Sequence, residues 1–309
     1  MTLFDYPKPF LKWAGGKSQL IPEIAKRLPE EVKRTGLIKN YIEPFIGGGA
    51  IYFHLASNFE IVEATLLDIN RELVVGYHVV KYEPMRLIAS LKELENDYLP
   101  ADTEKRKEIY YSVRASYNKQ MRSFDYEKFN LDWILRAAYL VFLNKTCFNG
   151  LFRLNNSGEF NVPIGRYKTP NIVNEVKLLS ASEALQKANI LHGDFEKAEK
   201  LITKNTLVYY DPPYRPISKT ASFNKYSKDD FTDVDQRRLA EFYRKMDKKG
   251  AFQILSNSDP KNENPKDNFF EELYSKYKIG RVKASRMINC KGEKRGSINE
   301  LIITNYYGG

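Results

Sequence analysis

The chain has 309 residues, enough for one large or two medium domains around a packed core. Its formal charge of +10 points to a polyanionic partner, and its two cysteines, Cys147 and Cys290, are too few for a disulfide framework, which favours a reducing, cytoplasmic setting. Three scattered histidines without a Cys/His cluster argue against a metal centre, and no apolar run approaches the length of a membrane span.

The first motif in the chain, residues 10–18, ends Gly-Lys-Ser. Leucine stands at position 11, where a phosphate-cradling P-loop needs glycine, and no strand of useful length precedes it. ATP hydrolysis is rejected on those grounds. Trp13 and Lys17 offer instead an aromatic face and a cation. Such a pair suits a sulfonium and a carboxylate, as at the methionine end of S-adenosylmethionine. Tyr41 to Phe45 then reads as a strand, followed by Gly47-Gly48-Gly49 and an apolar helix start at Ala50. Glycines in that position permit a tight turn and close approach of backbone to a ligand. A second strand, Ala64 to Leu67, closes on Asp68, with Asn70 placed to cap the next helix. Asp68 lies about 20 residues beyond the glycines, a spacing that suits a carboxylate bonding ribose hydroxyls.

From about Arg71 to Asn144 the pattern turns helical, with segments at Met85–Leu94, Glu104–Tyr117 and Leu131–Leu143. Two alternating runs around Asn156-Ser157-Gly158 then predict a β-hairpin over 151–163. The α/β alternation resumes near Asn189: a strand at Ile190-Leu191, a helix over Glu196–Ile202, a strand at Leu207–Tyr210, a helix over Asp233–Met246, and strands at Ala251–Leu255 and Glu300–Thr304. The expected architecture is a doubly wound, Rossmann-like α/β catalytic domain, residues 1–70 and 189–309, interrupted by a helical insertion with a hairpin, residues 71–188.

Asp211-Pro212-Pro213-Tyr214 comes directly after the strand Leu207–Tyr210. Its two prolines end that strand and stiffen the turn beyond it. A carboxylate, the Pro212 carbonyl and an aromatic ring are thereby set at the C-terminal edge of the sheet, where open α/β sheets bind ligands. Two acceptors beside a flat ring suit a planar amine such as N6 of adenine. The same residues also make an ordinary strand-ending turn.

Taken together and in order, Phe10 to Lys17, Glu43 to Gly49 and Asp211 to Tyr214 resemble the Dam-type (D12 class) DNA adenine-N6 methyltransferases. The resemblance covers nearly the whole chain, through Asn149 to Arg153, Glu159 to Pro163, Gly165 to Lys168, Gly193 to Phe195 and Glu300 to Tyr306. It implies an S-adenosylmethionine-dependent methyltransferase fold, with the insertion as target-recognition domain. Trp13, Lys17, Glu43, Phe45, the glycines Gly47 and Gly49, Asp68 and Asp211 would line the cofactor, with Asp194 and Phe195 near its adenine. Asp211, the Pro212 carbonyl and Tyr214 would be catalytic. Arg153 would read a base from the hairpin, with Lys12, Asn149, Leu151, Pro163 and Tyr167 near double-stranded DNA, commonly at GATC. Phe148, where some relatives carry tyrosine, keeps the aromatic face and lacks the hydroxyl. A cognate restriction endonuclease would be a functional partner. Two other readings stay open on residues alone: an RNA amino-group methyltransferase, which would not need a groove-reading hairpin, and a catalytically silent DNA-binding module. Basic stretches at Lys219–Lys228 and Lys291–Arg295 are candidate phosphate contacts or solvated loops.

Overall fold

The computed structural model describes residues 6–13, 15, 17, 19–215, 231–285 and 297–307. The basic stretches 219–228 and 291–295 lie outside the described residues. A seven-stranded sheet carries the fold, in the order β3-β2-β1-β4-β5-β7-β6. Its strands are β1 (Leu37–Glu43), β2 (Glu60–Asp68), β3 (Ala188–His192), β4 (Leu207–Tyr210), β5 (Phe252–Ser258), β6 (Lys278–Ser285) and β7 (Ser297–Thr304). β1 to β5 pair in parallel, while β7 runs antiparallel to both β5 and β6.

Both faces of this sheet are covered, and alternation along each strand shows it. Tyr41, Leu66, Tyr209, Ile254 and Ile302 belong to one apolar cluster. Their sequence neighbours Ile42, Leu67, Tyr210, Leu255, Leu301 and Ile303 belong to the other. The first face carries α1 (Ile21–Lys26), α3 (Ala50–Asn58) and α4 (Arg71–Tyr82); α2 (Glu30–Thr35) packs against β1. The second is covered by a 3-10 turn over Phe195–Lys200, α9 (Asp233–Lys248) and α10 (Phe269–Leu273).

Helices α5 (Pro84–Tyr98), α6 (Thr103–Gln120), α7 (Leu131–Thr146) and α8 (Glu175–Leu185) come after α4 within the crossover from β2 to β3. Helices α4, α6, α7 and α8 start on polar caps: Asn70, Asp102, Asn130 and Asn174 each accept a backbone N–H from the first turn. α4 packs on β2 and β3 and also on α7 and α8, so sheet and inserted helices share one continuous apolar cluster. A buried ion pair ties the same elements. Glu72 of α4 takes Arg136 of α7 at 2.8 Å (Nε) and 2.5 Å (Nη2). Among the described residues no helix is long and apolar enough to cross a membrane.

The hairpin predicted over 151–163 forms only as a turn-back. Isolated antiparallel bridges join Leu154 to Phe160 and Cys147 to Ile164. Two backbone bonds flank the first bridge, Asn155 N–H to the Glu159 carbonyl and Asn161 N–H to the Arg153 carbonyl, and the outward-facing backbone groups of the return strand are taken by α6. Asn118 of α6 bonds both the N–H and the carbonyl of Phe160, and Tyr110 and Arg114 donate to the Val162 carbonyl. The predicted helix over 196–202 is likewise shorter and tighter, the 3-10 turn capped by Asp194.

Candidate active site

From β1 the chain goes out to β2 and β3, then returns to pair β4 on the other side of β1. That reversal opens a crevice beyond the strands' C-terminal ends, where ligands bind in such sheets. A cavity of about 630 Å³ lies there, and all ten residues predicted to meet a cofactor line it: Trp13, Lys17, Glu43, Phe45, Gly47, Gly49, Asp68, Asp194, Phe195 and Asp211. Pro212 and Tyr214 line it too.

The glycine loop is built for close approach. Gly47 and Gly49 have φ of 46° and 73°, left-handed values that favour glycine. A Cβ on Gly49 would stand 2.5 Å from the Tyr77 hydroxyl and 3.0 Å from the Phe53 ring. Asp68 holds the loop by accepting the Gly47 N–H at 2.9 Å, and its second oxygen takes the Asn70 N–H at 2.9 Å. The ribose role read from spacing therefore competes with a backbone role, although each carboxylate oxygen has a further lone pair.

Four carboxylates line the cavity, Glu43, Asp68, Asp194 and Asp211, and burial raises the pKa of Glu43, Asp68 and Asp211. Glu43 is pushed well above the carboxylate range, against the Tyr41 hydroxyl that donates to it at 2.7 Å. Burial lifts Asp68 to about 6, against its backbone N–H donors. Asp211 is raised by burial and held down by Lys17 and Ser256. Among the described lining residues Lys17 is the one cation. Its Nζ lies 3.0 Å from Asp211 Oδ1 and 3.9 Å from the centre of the Tyr214 ring. An amine is thus already seated against the carboxylate and over the ring. Phe45, Phe195 and Phe231 form an aromatic cluster with ring centres 5.7 to 6.3 Å apart.

None of the six residues predicted for DNA lines this cavity. Lys12 and Tyr167 meet directly, Nζ over the ring at 4.3 Å. Asn149 takes a left-handed φ of 54° beside Gly150, where an added Cβ would stand 2.6 Å from the Lys12 side chain. The Leu151 carbonyl accepts from the Cys147 thiol, and the Pro163 carbonyl takes the Phe148 N–H at 2.9 Å. Arg153 stands apart from these, exposed, with Nε donating to Asn161 Oδ1 at 2.7 Å. Trp13 bridges the two regions by stacking on Phe152, ring centres 5.3 Å apart.

Several residues of the site escape sequence reasoning. Buried Asn144 bonds both backbone groups of Lys12 and the Gly150 carbonyl, fixing the first motif to α7. Glu300 on β7 accepts the Tyr214 hydroxyl at 2.6 Å, and Gln236 on α9 donates to the Pro213 carbonyl. Such partners meet only through the tertiary fold, so spacing gives no signal for them.

A parallel α/β core with an acidic, aromatic cleft at its switch point has the form of a ligand-binding α/β domain. Comparison with known proteins narrows the class. Residues 13–288 match the model for D12 class N6 adenine-specific DNA methyltransferases. The chain is 50% identical over 300 residues to the Type II methyltransferase M.MjaIII of Methanocaldococcus jannaschii, covering 97% of this chain and 99% of that protein. It is 38% identical to the Type II methyltransferase M1.LlaDCHI of Lactococcus lactis (97% and 95% covered) and 36% identical to a DNA adenine methylase of Haemophilus influenzae (96% and 92%). The chain belongs to the D12 class N6 adenine-specific DNA methyltransferase family, with its Rossmann-like methyltransferase fold. Membership decides among the readings left open by the residues: the activity is DNA adenine methylation, and the family uses S-adenosylmethionine.

Proposed function

We propose that the cavity binds S-adenosylmethionine and that Asp211, Pro212 and Tyr214 receive an adenine turned out of duplex DNA. The observation that carries this is the seat of Lys17 Nζ, an amine held by Asp211 over the Tyr214 ring. The cavity fits the cofactor in its polar and aromatic groups. Trp13 offers an aromatic face to a sulfonium, the tight glycine loop admits a nucleoside, and the Phe45–Phe195–Phe231 cluster offers faces for a purine. On this reading Trp13, Lys17 and Glu43 hold the methionine end. Phe45, Gly47, Gly49 and Asp68 hold the nucleoside, with Asp194 and Phe195 at its adenine.

When bound, the cofactor supplies an electrophilic methyl group. The chain's own residues do the rest. The amine of adenine is a poor nucleophile, because its lone pair is delocalised into the ring. Asp211 and the Pro212 carbonyl accept its two N–H groups and so keep the lone pair available. They also stabilise the positive charge that grows on nitrogen during transfer. The proton released afterwards goes to Asp211 or to water. Tyr214 stacks on the extruded base, which returns about 1–3 kcal/mol against an unstacking cost of a few kcal/mol.

Residues 71–188 serve as the target-recognition part, with GATC as the target and a cognate restriction endonuclease as functional counterpart. Labelled S-adenosylmethionine offered with duplex DNA or with ribosomal RNA tests the core claim. The label should enter DNA and be recovered as N6-methyladenine. Recovery on another base, or on RNA alone, sinks the reading.

Arg153 is the proposed base reader. Its exposure and single bond to Asn161 leave the guanidinium able to form a bidentate pair with guanine O6 and N7. Arg153→Ala should weaken methylation of the preferred duplex by about 1–3 kcal/mol and that of a duplex altered at the guanine far less. A phosphate contact would instead weaken both alike and flatten the salt dependence. Rates on the two duplexes at two salt concentrations separate these roles.

A further inference from the structure

Strand β5 ends unlike its neighbour β4, whose four residues are all buried and apolar or aromatic. Its last three residues, Ser256, Asn257 and Ser258, are polar, yet they are only 0%, 0% and 5% exposed. Buried polar groups need partners, and most of theirs lie in the segment 211–215. Ser256 Oγ donates to Asp211 Oδ1 at 3.1 Å. Asn257 Oδ1 accepts the Arg215 N–H, and Ser258 Oγ donates to the Arg215 carbonyl. Asn257 Nδ2 also bonds Gln236, the residue that holds the Pro213 carbonyl.

Ser256 does not line the cavity, yet it touches the carboxylate that does. Behind it, the Tyr209 hydroxyl lies 2.8 Å from Ser256 Oγ. A serine hydroxyl has one proton to give. If it goes to Asp211, Tyr209 is the donor to Ser256, and burial together with the Asp211 charge keeps the Tyr209 hydroxyl protonated for that task. The chain of donation runs Tyr209 to Ser256 to Asp211.

We propose that Ser256, backed by Tyr209, is a positioning residue for methyl transfer, fixing Asp211 through Oδ1, the oxygen that also takes Lys17 Nζ, so that the carboxylate is held in place to accept the target amine. This rests on the role given to Asp211 above. Ser256 acts on charge as well as on place. The groups facing Asp211 are Lys17 on the N-terminal segment, Ser256 on β5, Glu43 on β1, Glu300 on β7 and the tyrosines 209 and 214. Burial raises the Asp211 pKa, Lys17 and Ser256 oppose that, and Glu300 adds to it. Removing the Ser256 hydroxyl takes away a donor to the ionised form. Asp211 then takes up its proton at a higher pH, and the acidic limb of the rate profile moves up.

The test is single-turnover methyl transfer to a duplex oligonucleotide across pH, with duplex affinity measured separately. Ser256→Ala should slow transfer about tenfold, the scale of one hydrogen bond to a charged group. Its acidic limb should shift to higher pH while KM for the cofactor and Kd for the duplex stay put. Ser256→Thr, which restores a hydroxyl, should recover both rate and limb. Tyr209→Phe should move both in the same direction by less, and it decides the matter if Ser256→Ala melts below the assay temperature. A limb at the wild-type position, a loss confined to KM, or a Thr variant as slow as Ala overturns the proposal. Asp211→Ala in the same series keeps the two claims apart: full activity there removes the Asp211 role itself.

Discussion

Asp211→Ala is expected to slow methyl transfer about 10²–10³-fold, the usual cost of removing one preorganised electrostatic group from a reaction centre. Duplex affinity should be largely unchanged, because Asp211 lies in the cavity and the exposed residues around Lys12, Asn149 and Arg153 are untouched. The variant also strands Lys17, which is 7% exposed and loses its carboxylate partner. Folding must therefore be checked by thermal melting before rates are compared. Asp211→Asn keeps an acceptor for Ser256 and should hold the fold, but it brings no negative charge to the developing positive centre. Its rate should fall between those of alanine and wild type. A tenth or more of wild-type turnover in the alanine variant would contradict the acceptor role.

The second large effect is on stability. Glu72 accepts two bonds from Arg136 and one from the Tyr126 hydroxyl, at 2.6 Å. Arg136 is 1% exposed; its remaining contacts are the Tyr117 carbonyl and the faces of Tyr117, Phe124 and Tyr126. Glu72→Ala leaves a guanidinium buried without its anion and should cost about 3–5 kcal/mol. Replacing both partners, Glu72→Leu with Arg136→Met, should cost less than the single change, because no charge is left stranded. Urea denaturation of the three proteins measures the order. A double variant less stable than Glu72→Ala would mean that the pair does more than neutralise itself.

The parallel core and the cavity were legible because their signals are local. β4 lies where its apolar run places it, and the glycine loop, Asp68 and the Asn70 cap come from residue type and order. β6 was not read from the sequence. It sits at the sheet edge, where Lys278, Arg281 and Lys283 interrupt the apolar pattern. The polar end of β5 reads as loop, since Ser-Asn-Ser declares its burial only through partners in 211–215. The segment 151–163 erred the other way. Its alternation is real and it turns back on itself, but it pairs only around Leu154 and Phe160, while Asn118, Tyr110 and Arg114 of α6 hold its outer edge. Side chains distant in sequence decide such cases, and periodicity within a window does not register them.

Two consecutive residues, Lys12 and Trp13, face different neighbours. The backbone of Lys12 is clasped by Asn144 and its side chain covers Tyr167, while Trp13 walls the cavity and stacks on Phe152. Anyone transplanting the 147–165 loop from a relative with another target inherits this constraint. The donor loop must bring a ring for Trp13, and a glycine at 150 where the Lys12 stem passes, or the graft will disturb the cavity wall along with the reading surface. If the roles proposed above hold, target choice and turnover are welded at a single peptide bond.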